Sequence, residues 1–205
     1  MLYSKDRAAN ISKSDIKYIP AGINEDVVLQ SAKCEKSQNG NYFLEISFTK
    51  NGATLTHTEW EPKMTNFITT EEALQAKADN QYSRMLQILT CFYPETALNF
   101  NGETFKEFAE WIAGLLNAAD KNKKLRVKVV YNNKGYTTLP SYAKYTFIEP
   151  MDLPEGKTSA ITELNIDKFT RPVVADAETS VENPFAPKTT FETQADKEDS
   201  TDLPF

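Results

Sequence analysis

The residues between Lys121 and Ile148 combine two side-chain types that bind nucleic acid. This stretch contains seven basic residues and no acidic one, together with four of the nine tyrosines of the chain. Basic side chains follow a phosphate backbone and aromatic rings stack on unpaired bases, so the composition favours a single-stranded nucleic-acid interface. The alternative is a solvated strand face with core tyrosines. From this stretch we predict as DNA-binding residues Lys124, Arg126, Lys128, Tyr131, Lys134, Tyr136, Tyr142 and Lys144.

Two aromatic residues earlier in the chain are further stacking candidates. Residues 42–49 alternate apolar and polar side chains, which is typical of a strand with one buried face. Phe43 is on the face opposite Leu44 and Ile46, and we expect it to stack on a base unless the faces are reversed or both buried. Trp60 ends the next strand on a threonine-rich face, as either a stacking platform or a lid over one end of a barrel.

No residue pattern indicates catalysis or metal binding. His57 is the only histidine, and we interpret it as a strand residue because no nucleophile or ligand cluster accompanies it. Cys34 and Cys91 are far apart in the chain, which indicates two reduced thiols. Glu59 and Glu61 leave a catalytic carboxylate pair open as an alternative. We therefore expect no enzymatic activity, no cofactor and no metal.

Local signals divide the body of the chain into strands, helices and strands again. Two Asn-Gly pairs, Asn39-Gly40 and Asn51-Gly52, predict tight turns that join three strands. A capping box of Thr69 with Glu72 and a second of Thr104 with Glu107 predict two helices, whose apolar stripes we expect in the core.

Two more strands are expected after these helices. One begins near Lys124, with an apolar face and a basic face, and the last covers residues 142–148; a short strand within residues 164–169 is an option. This order is that of an OB-fold, so the predicted fold is mainly β: a five-stranded Greek-key barrel with helices inserted between strands 3 and 4. Two helices instead of one depart from that fold. The DNA-binding face would lie near strands 2 and 3.

Charge is segregated along the chain. The segment from residue 174 to 205 has eight acidic residues against two lysines, which equals the net charge of −6 of the whole sequence. Its composition predicts disorder. We therefore divide the chain into an N-terminal arm (1–19), a single-stranded DNA-binding domain (20–172) and an acidic tail (173–205). We find no apolar stretch that approaches the roughly 18 residues of a membrane span.

The tail closes with Asp202-Leu203-Pro204-Phe205. An acidic segment ending in an apolar residue, Pro and Phe resembles the tails of phage and bacterial single-stranded DNA-binding proteins, and the strand order and the basic, Tyr-rich stretch agree with that resemblance. The resemblance implies that the body coats exposed strands during replication, recombination or repair. It also implies that the tail recruits enzymes through Asp199, Asp202, Leu203, Pro204 and Phe205.

The resemblance implies a cytoplasmic protein, in the bacterial host if it is encoded by a phage, with no membrane partner. Its partners would be single-stranded DNA and enzymes of replication or recombination, and self-association stays open. The alternative function is an interaction module that engages host replication enzymes through the same tail without binding DNA. An exposed basic strand face would separate the two functions, because an adaptor does not need one.

Overall fold

The computed structural model describes residues 17–172, which form a mainly β domain. Six antiparallel strands make an open sheet, in the order β3-β2-β1-β4-β5 with β6 also paired to β4. The strands are β1 (Gly22–Lys36), β2 (Tyr42–Lys50), β3 (Ala53–Trp60), β4 (Leu125–Tyr131), β5 (Thr137–Thr138) and β6 (Ile148–Pro150). Helices α1 (Glu71–Thr90) and α2 (Phe105–Ala118) lie between β3 and β4, as predicted.

Strand β1 connects the two halves of the sheet. Its first half pairs with β4 and its second half pairs with β2. The register shifts between Asn24 and Val27, where Asp26 adopts a φ of 57°. An irregularity of this kind bends a strand and strengthens its twist, which allows one long strand to serve two neighbours that diverge.

The β2–β3 hairpin follows the sequence prediction. Asn51 and Gly52 form its two-residue turn with φ values of 49° and 77°, the left-handed pair that a tight hairpin requires. Leu44, Ile46 and Phe48 are completely buried, so their face of β2 forms the core. The opposite face of β2 is therefore directed outward.

Helix α2 covers the core side of the sheet. Thr104 and Glu107 form the predicted capping box at its start. Near its end, the Asn117 side chain donates to the carbonyl of Ala32 at 2.7 Å and accepts from the Ala32 amide at 3.1 Å. This two-way bond fastens the helix to the middle of β1.

Helix α1 differs from its prediction in two respects. Its cap is Thr70 and not Thr69, because the Thr70 hydroxyl accepts from the amide of Ala73 at 3.2 Å. Only the second half of its apolar stripe is core, with Met85 and Leu89 completely buried. The first half is partly exposed and lines a cleft that is considered below.

The segment after β4 also differs from its prediction. Residues 142–147 are not a strand, and β6 begins only at Ile148. Helix α1 supplies the reason: the Gln87 amide donates to the carbonyl of Ala143 at 2.7 Å, and its oxygen accepts from the amide of Phe147 at 3.3 Å. These backbone groups are thus satisfied by a side chain instead of a neighbouring strand.

Residues 164–169 form a turn and not the optional strand, with the Asp167 amide donating to the carbonyl of Leu164 at 2.9 Å. At the other end of the domain, Lys17–Ile19 of the predicted arm run along the free edge of β3, and Ile19 is completely buried. Within residues 17–172, no helix has both the length and the apolar character to cross a membrane.

Candidate nucleic-acid interface

Phe43 and Trp60 form an aromatic pair at one end of the outer sheet face, with Phe43 half-buried and Trp60 exposed. They are cross-strand neighbours in β2 and β3, and their ring centroids lie 5.0 Å apart at an interplanar angle of 38°. The Trp60 side of this pair is open, since 49% of that residue is accessible to solvent. Phe43 and Trp60 lie on the sheet face opposite the buried Leu44 and Ile46, as expected for Phe43, and their stacking on bases stays a prediction.

Hydroxyl side chains occupy the middle of the same face. Ser47 in β2 pairs with Thr56 in β3, and Thr49 pairs with Thr54 one step further along. Nearer the aromatic pair, Glu45 lies opposite Thr58. Its carboxylate forms an ion pair with the Lys33 ammonium of β1, with Nζ 3.2 Å from Oε1. We call this surface of β1–β3, from Trp60 to Thr54, the outer face. It offers hydrogen-bonding groups with little net charge.

Three tyrosines surround a cleft at the other end of the outer face. The cleft has a volume of about 370 Å³, and we call it the tyrosine cleft. Thr56 belongs both to its lining and to the outer face, so the two surfaces are continuous. Its other lining residues are Tyr18, Tyr131, Gly135, Tyr136, Thr137 and Arg171.

A braced turn presents Tyr136 at the rim of this cleft. The Asn132 side chain accepts from the amides of Lys134 and Tyr136 at 2.9 and 3.0 Å. Gly135 completes the turn at a φ of 76°, a conformation that most side chains resist. The turn thus fixes a tyrosine that is 64% exposed, which is a suitable platform for a planar ligand.

One basic residue lines the tyrosine cleft, and two lysines lie beside the turn and the strand that border it. Lys134 is exposed at the tip of the turn, and Arg171 lines the cleft itself. Lys168 lies beside the turn, where its ammonium donates to the Asn133 side chain at 2.7 Å. The Lys168 carbonyl accepts from the amide of Tyr131 at 2.8 Å, which ties this segment to β4.

Sequence reasoning missed Tyr18, Lys168 and Arg171 as members of this site. Tyr18 is part of the predicted arm, and the bridge between it and Thr54 brings it to the cleft. The other two belong to a segment whose role the sequence left open. Basic and aromatic residue types were the only available signal, because all three contacts are made with distant parts of the chain.

The prediction of a free basic face on β4 needs correction, because most of its charged groups form ion pairs with carboxylates. Arg126 contacts Glu149 at 2.6 Å and Glu25 at 3.0 Å, and Lys124 contacts Asp26 at 2.8 Å. The hydrogen bonds that Arg126 donates to Glu149 and Glu25 raise the pKa of its guanidinium further. A concentration of positive charge in the sequence is therefore not a free basic surface in the folded domain.

Lys128, which we predicted on the basic face, lies in the interior instead. Its side chain is completely buried, where the ammonium contacts Asp167 at 2.8 Å and the Tyr142 hydroxyl at 2.9 Å. Burial first, and then the hydrogen bond to Asp167, raise the pKa of Tyr142. Lys128 and Tyr142 thus hold residues 162–167 against β4, and the buried ammonium has no surface to offer a phosphate in this conformation.

Lys144 lies outside the outer face as well. Its ammonium is 5.8 Å from the centroid of the Tyr145 ring, in a segment that Gln87 of α1 holds. The predicted set is therefore divided: Phe43, Trp60, Tyr131, Lys134 and Tyr136 border the outer face or the tyrosine cleft. The predicted tail residues Asp199, Asp202, Leu203, Pro204 and Phe205 lie outside the described residues.

The Glu59 and Glu61 carboxylates, left open above as a catalytic pair, are not arranged as one. Glu59 is buried and accepts from His57 at 3.0 Å, from Gln81 at 2.9 Å and from the Arg84 guanidinium at 2.8 Å. Burial alone would raise the pKa of Glu59, but the His57 hydrogen bond and the nearby positive charges lower it to about 2. Glu61 is instead at the surface, beside Lys63 at 3.2 Å. His57 is a buried strand residue, as expected.

Among residues 17–172, no cluster of His, Cys, Asp and Glu is arranged to hold a metal ion. The arrangement of the outer face and the tyrosine cleft fits a flat, partly apolar ligand that carries negative charge at one end. In comparison with known proteins, neither the protein-family models nor the curated proteins include a match to this chain.

Proposed function

We propose that this protein binds single-stranded DNA along the outer face and coats exposed strands in replication, recombination or repair. The observation that carries the proposal is the placement of exposed rings at both ends of one hydroxyl-lined face, with Trp60 at one end and Tyr136 at the other. Unpaired bases have free faces that stack on such rings, whereas a duplex keeps its bases stacked inside.

The dimensions of the face suit several nucleotides. Trp60 lies four residue steps after Thr56 in β3. At the rise of a β-strand, these steps cover about 13 Å. The hydroxyl groups between them offer neutral hydrogen bonds to bases or sugars. The two aromatic ends would therefore stack different bases of one strand.

The distribution of basic residues distinguishes the two ends of the outer face. Arg171 of the tyrosine cleft, together with Lys134 and Lys168 beside it, would contact phosphates at that end. At the Trp60 end, Lys33 is already paired with Glu45 and Glu35. Binding would thus depend on stacking at one end, and on stacking together with phosphate contacts at the other.

The sheet supports an OB-like barrel as the finer description of the fold. Strand β1 is shared between β2 and β4, and a hydrogen bond between His57 and Thr138 spans from β3 to β5. In that fold, the turns at residues 37–41 and 132–136 would correspond to the two loops that flank the nucleic-acid face. The tyrosine cleft lies beside the second of them.

The acidic tail would supply the recruiting function. Its segment Asp202-Leu203-Pro204-Phe205 combines an acidic residue with an aromatic ring, which suits a partner with an apolar pocket and a basic rim. The partners would be enzymes of replication or recombination.

A titration of fluorescent oligo-dT against the full chain at two salt concentrations tests the proposal. We expect binding that weakens with salt, and far lower affinity for a duplex of the same length. Equal affinity for the duplex, or no binding at low salt, would overturn it. A chain with Trp60→Ala and Tyr136→Ala is the matched control, because it retains every charge.

The ion pairs of Arg126, Lys124 and Lys128 favour one alternative, an interaction module that acts through the tail without DNA. Such a module needs no free basic strand face. The alternative would be supported if the full chain binds replication enzymes and shows no affinity for oligo-dT.

A further inference from the structure

A second cleft, of about 680 Å³, lies between α1, α2 and the end of β3. Its apolar surface includes Leu74 of α1 and four aromatic residues, Tyr82, Phe100, Phe105 and Phe108. Tyr82 and Phe108 are stacked, with ring centroids 5.4 Å apart. Leu74 and Tyr82 belong to the first half of the apolar stripe of α1, which the core leaves partly exposed.

The rim of this helical cleft is acidic. It includes Glu61, Glu71, Asp79 and Glu103, and none of the described residues that line the cleft is basic. Glu61 has an ion pair with Lys63, which is not a lining residue. An acidic rim repels phosphates and the acidic tail alike, so the cleft suits a segment that presents a large apolar side chain flanked by cations.

We propose that residues 2–7 of the same chain, Leu2-Tyr3-Ser4-Lys5-Asp6-Arg7, occupy the helical cleft. In an extended segment, alternate side chains point to the same side, which groups Tyr3, Lys5 and Arg7 and directs Asp6 away from them. Tyr3 would pack on the aromatic floor, and the two cations would meet the acidic rim. This inference is independent of the proposed function.

The connection is long enough. The Lys17 carbonyl accepts from the amide of Thr54 at 2.8 Å, at the start of β3, whereas the cleft lies beyond the other end of that strand at Glu61. The seven residues from Thr54 to Glu61 cover about 23 Å. The ten residues from Arg7 to Lys17 reach about 33 Å when extended.

Paramagnetic broadening in NMR tests the contact. A nitroxide is attached at Ser4→Cys in the full chain with Cys34→Ser, and Cys91 is retained because burial raises its pKa to about 12 and leaves its thiol unreactive. We expect the amide signals of Ala78, Tyr82 and Phe105 to lose most of their intensity relative to the reduced label. The loss should diminish with added salt, which screens the rim.

Charge exchange supplies the controls. Asp79→Lys with Glu103→Lys should abolish the broadening, and addition of Lys5→Glu with Arg7→Glu should restore it. Glu155→Lys with Glu163→Lys, two exposed acids outside the cleft, should leave it unchanged. Absence of broadening at the cleft in the labelled parent would overturn the proposal. So would broadening of an isotope-labelled chain by a separate spin-labelled chain, because the occupant would then be a second copy.

Discussion

His57 and Thr138 join the two strands that end the main path of the open sheet, with His57 Nδ1 lying 3.1 Å from Thr138 Oγ1. His57 Nε2 is at the same time 3.0 Å from Glu59, so the ring is held on both sides. The next residues along, Thr56 and Thr137, line the tyrosine cleft. A partly buried hydrogen bond between side chains thus ties together the two strands that carry these cleft residues.

Thr138→Val should destabilise the domain and weaken DNA binding together. It retains the shape of the side chain but leaves a buried imidazole nitrogen without its partner, at a cost of about 1–3 kcal/mol. Urea unfolding measures the loss of stability, and an oligo-dT titration measures the affinity. Thr96→Val, at an exposed position, is the control and should change neither. Unchanged values for Thr138→Val would mean that this bond does not position the cleft.

Trp60→Ala and Tyr136→Ala should each weaken binding of oligo-dT by about 1–3 kcal/mol, because each removes one stacked ring. The dependence on salt should stay the same, since no charge is removed. Tyr145→Ala is the matched control, an exposed tyrosine held near α1 and away from the outer face. Variants at Trp60 and Tyr136 that bind like the parent would show that the outer face is not the DNA site.

The salt dependence should reflect three phosphate contacts. If Lys134, Lys168 and Arg171 all contact phosphates, log affinity should fall with log salt at a slope of about −2, at roughly 0.7 for each contact with a single strand. Neutralising Arg171 with Arg171→Gln should make the slope shallower by about 0.7. Arg126→Gln should leave the slope unchanged, because its guanidinium is already paired. The reverse pattern would place the phosphates on β4.

Acid should weaken the domain partly through Glu59. Its pKa of about 2 in the folded state is below the ordinary glutamate value of 4.5, so the stabilisation is complete above pH 4.5 and is lost as the pH falls towards 2. This linkage is worth on the order of 3 kcal/mol. Urea unfolding of the parent and of Glu59→Gln should therefore differ most near pH 6 and converge towards pH 2. A difference that does not vary with pH would contradict the assignment.

Deletion of Phe205 should separate the two proposed activities. The ring is lost and the side-chain charges stay, so affinity for oligo-dT should remain near the parent value. Pull-down of replication or recombination enzymes from a bacterial lysate should be lost, compared with a chain that carries Phe191→Ala as an aromatic control elsewhere in the tail. Retention of every tail-dependent partner would show that this residue is not a recognition element.

Local patterns in the sequence were sufficient for several elements. The alternation in β2, the Asn51-Gly52 turn and the Thr104–Glu107 capping box each depend on residues within one strand or one helical turn. The outward direction of Phe43 and Trp60 follows from the same alternation. Periodicity of this kind determines which face of an element is buried, whatever the rest of the chain does.

Tertiary structure decided which charged and aromatic side chains are available to a ligand. Arg126 is neutralised by Glu25, which is 101 residues away, and Lys128 is buried with Asp167, which is 39 residues away. Tyr18 and Arg171, from opposite ends of the domain, meet at one cleft. The sequence by itself determined how many basic and aromatic residues exist and, in β2 and β3, on which strand face they lie. Pairing between distant segments determined their exposure, because an ion pair depends on separation in space and leaves no local pattern in the chain.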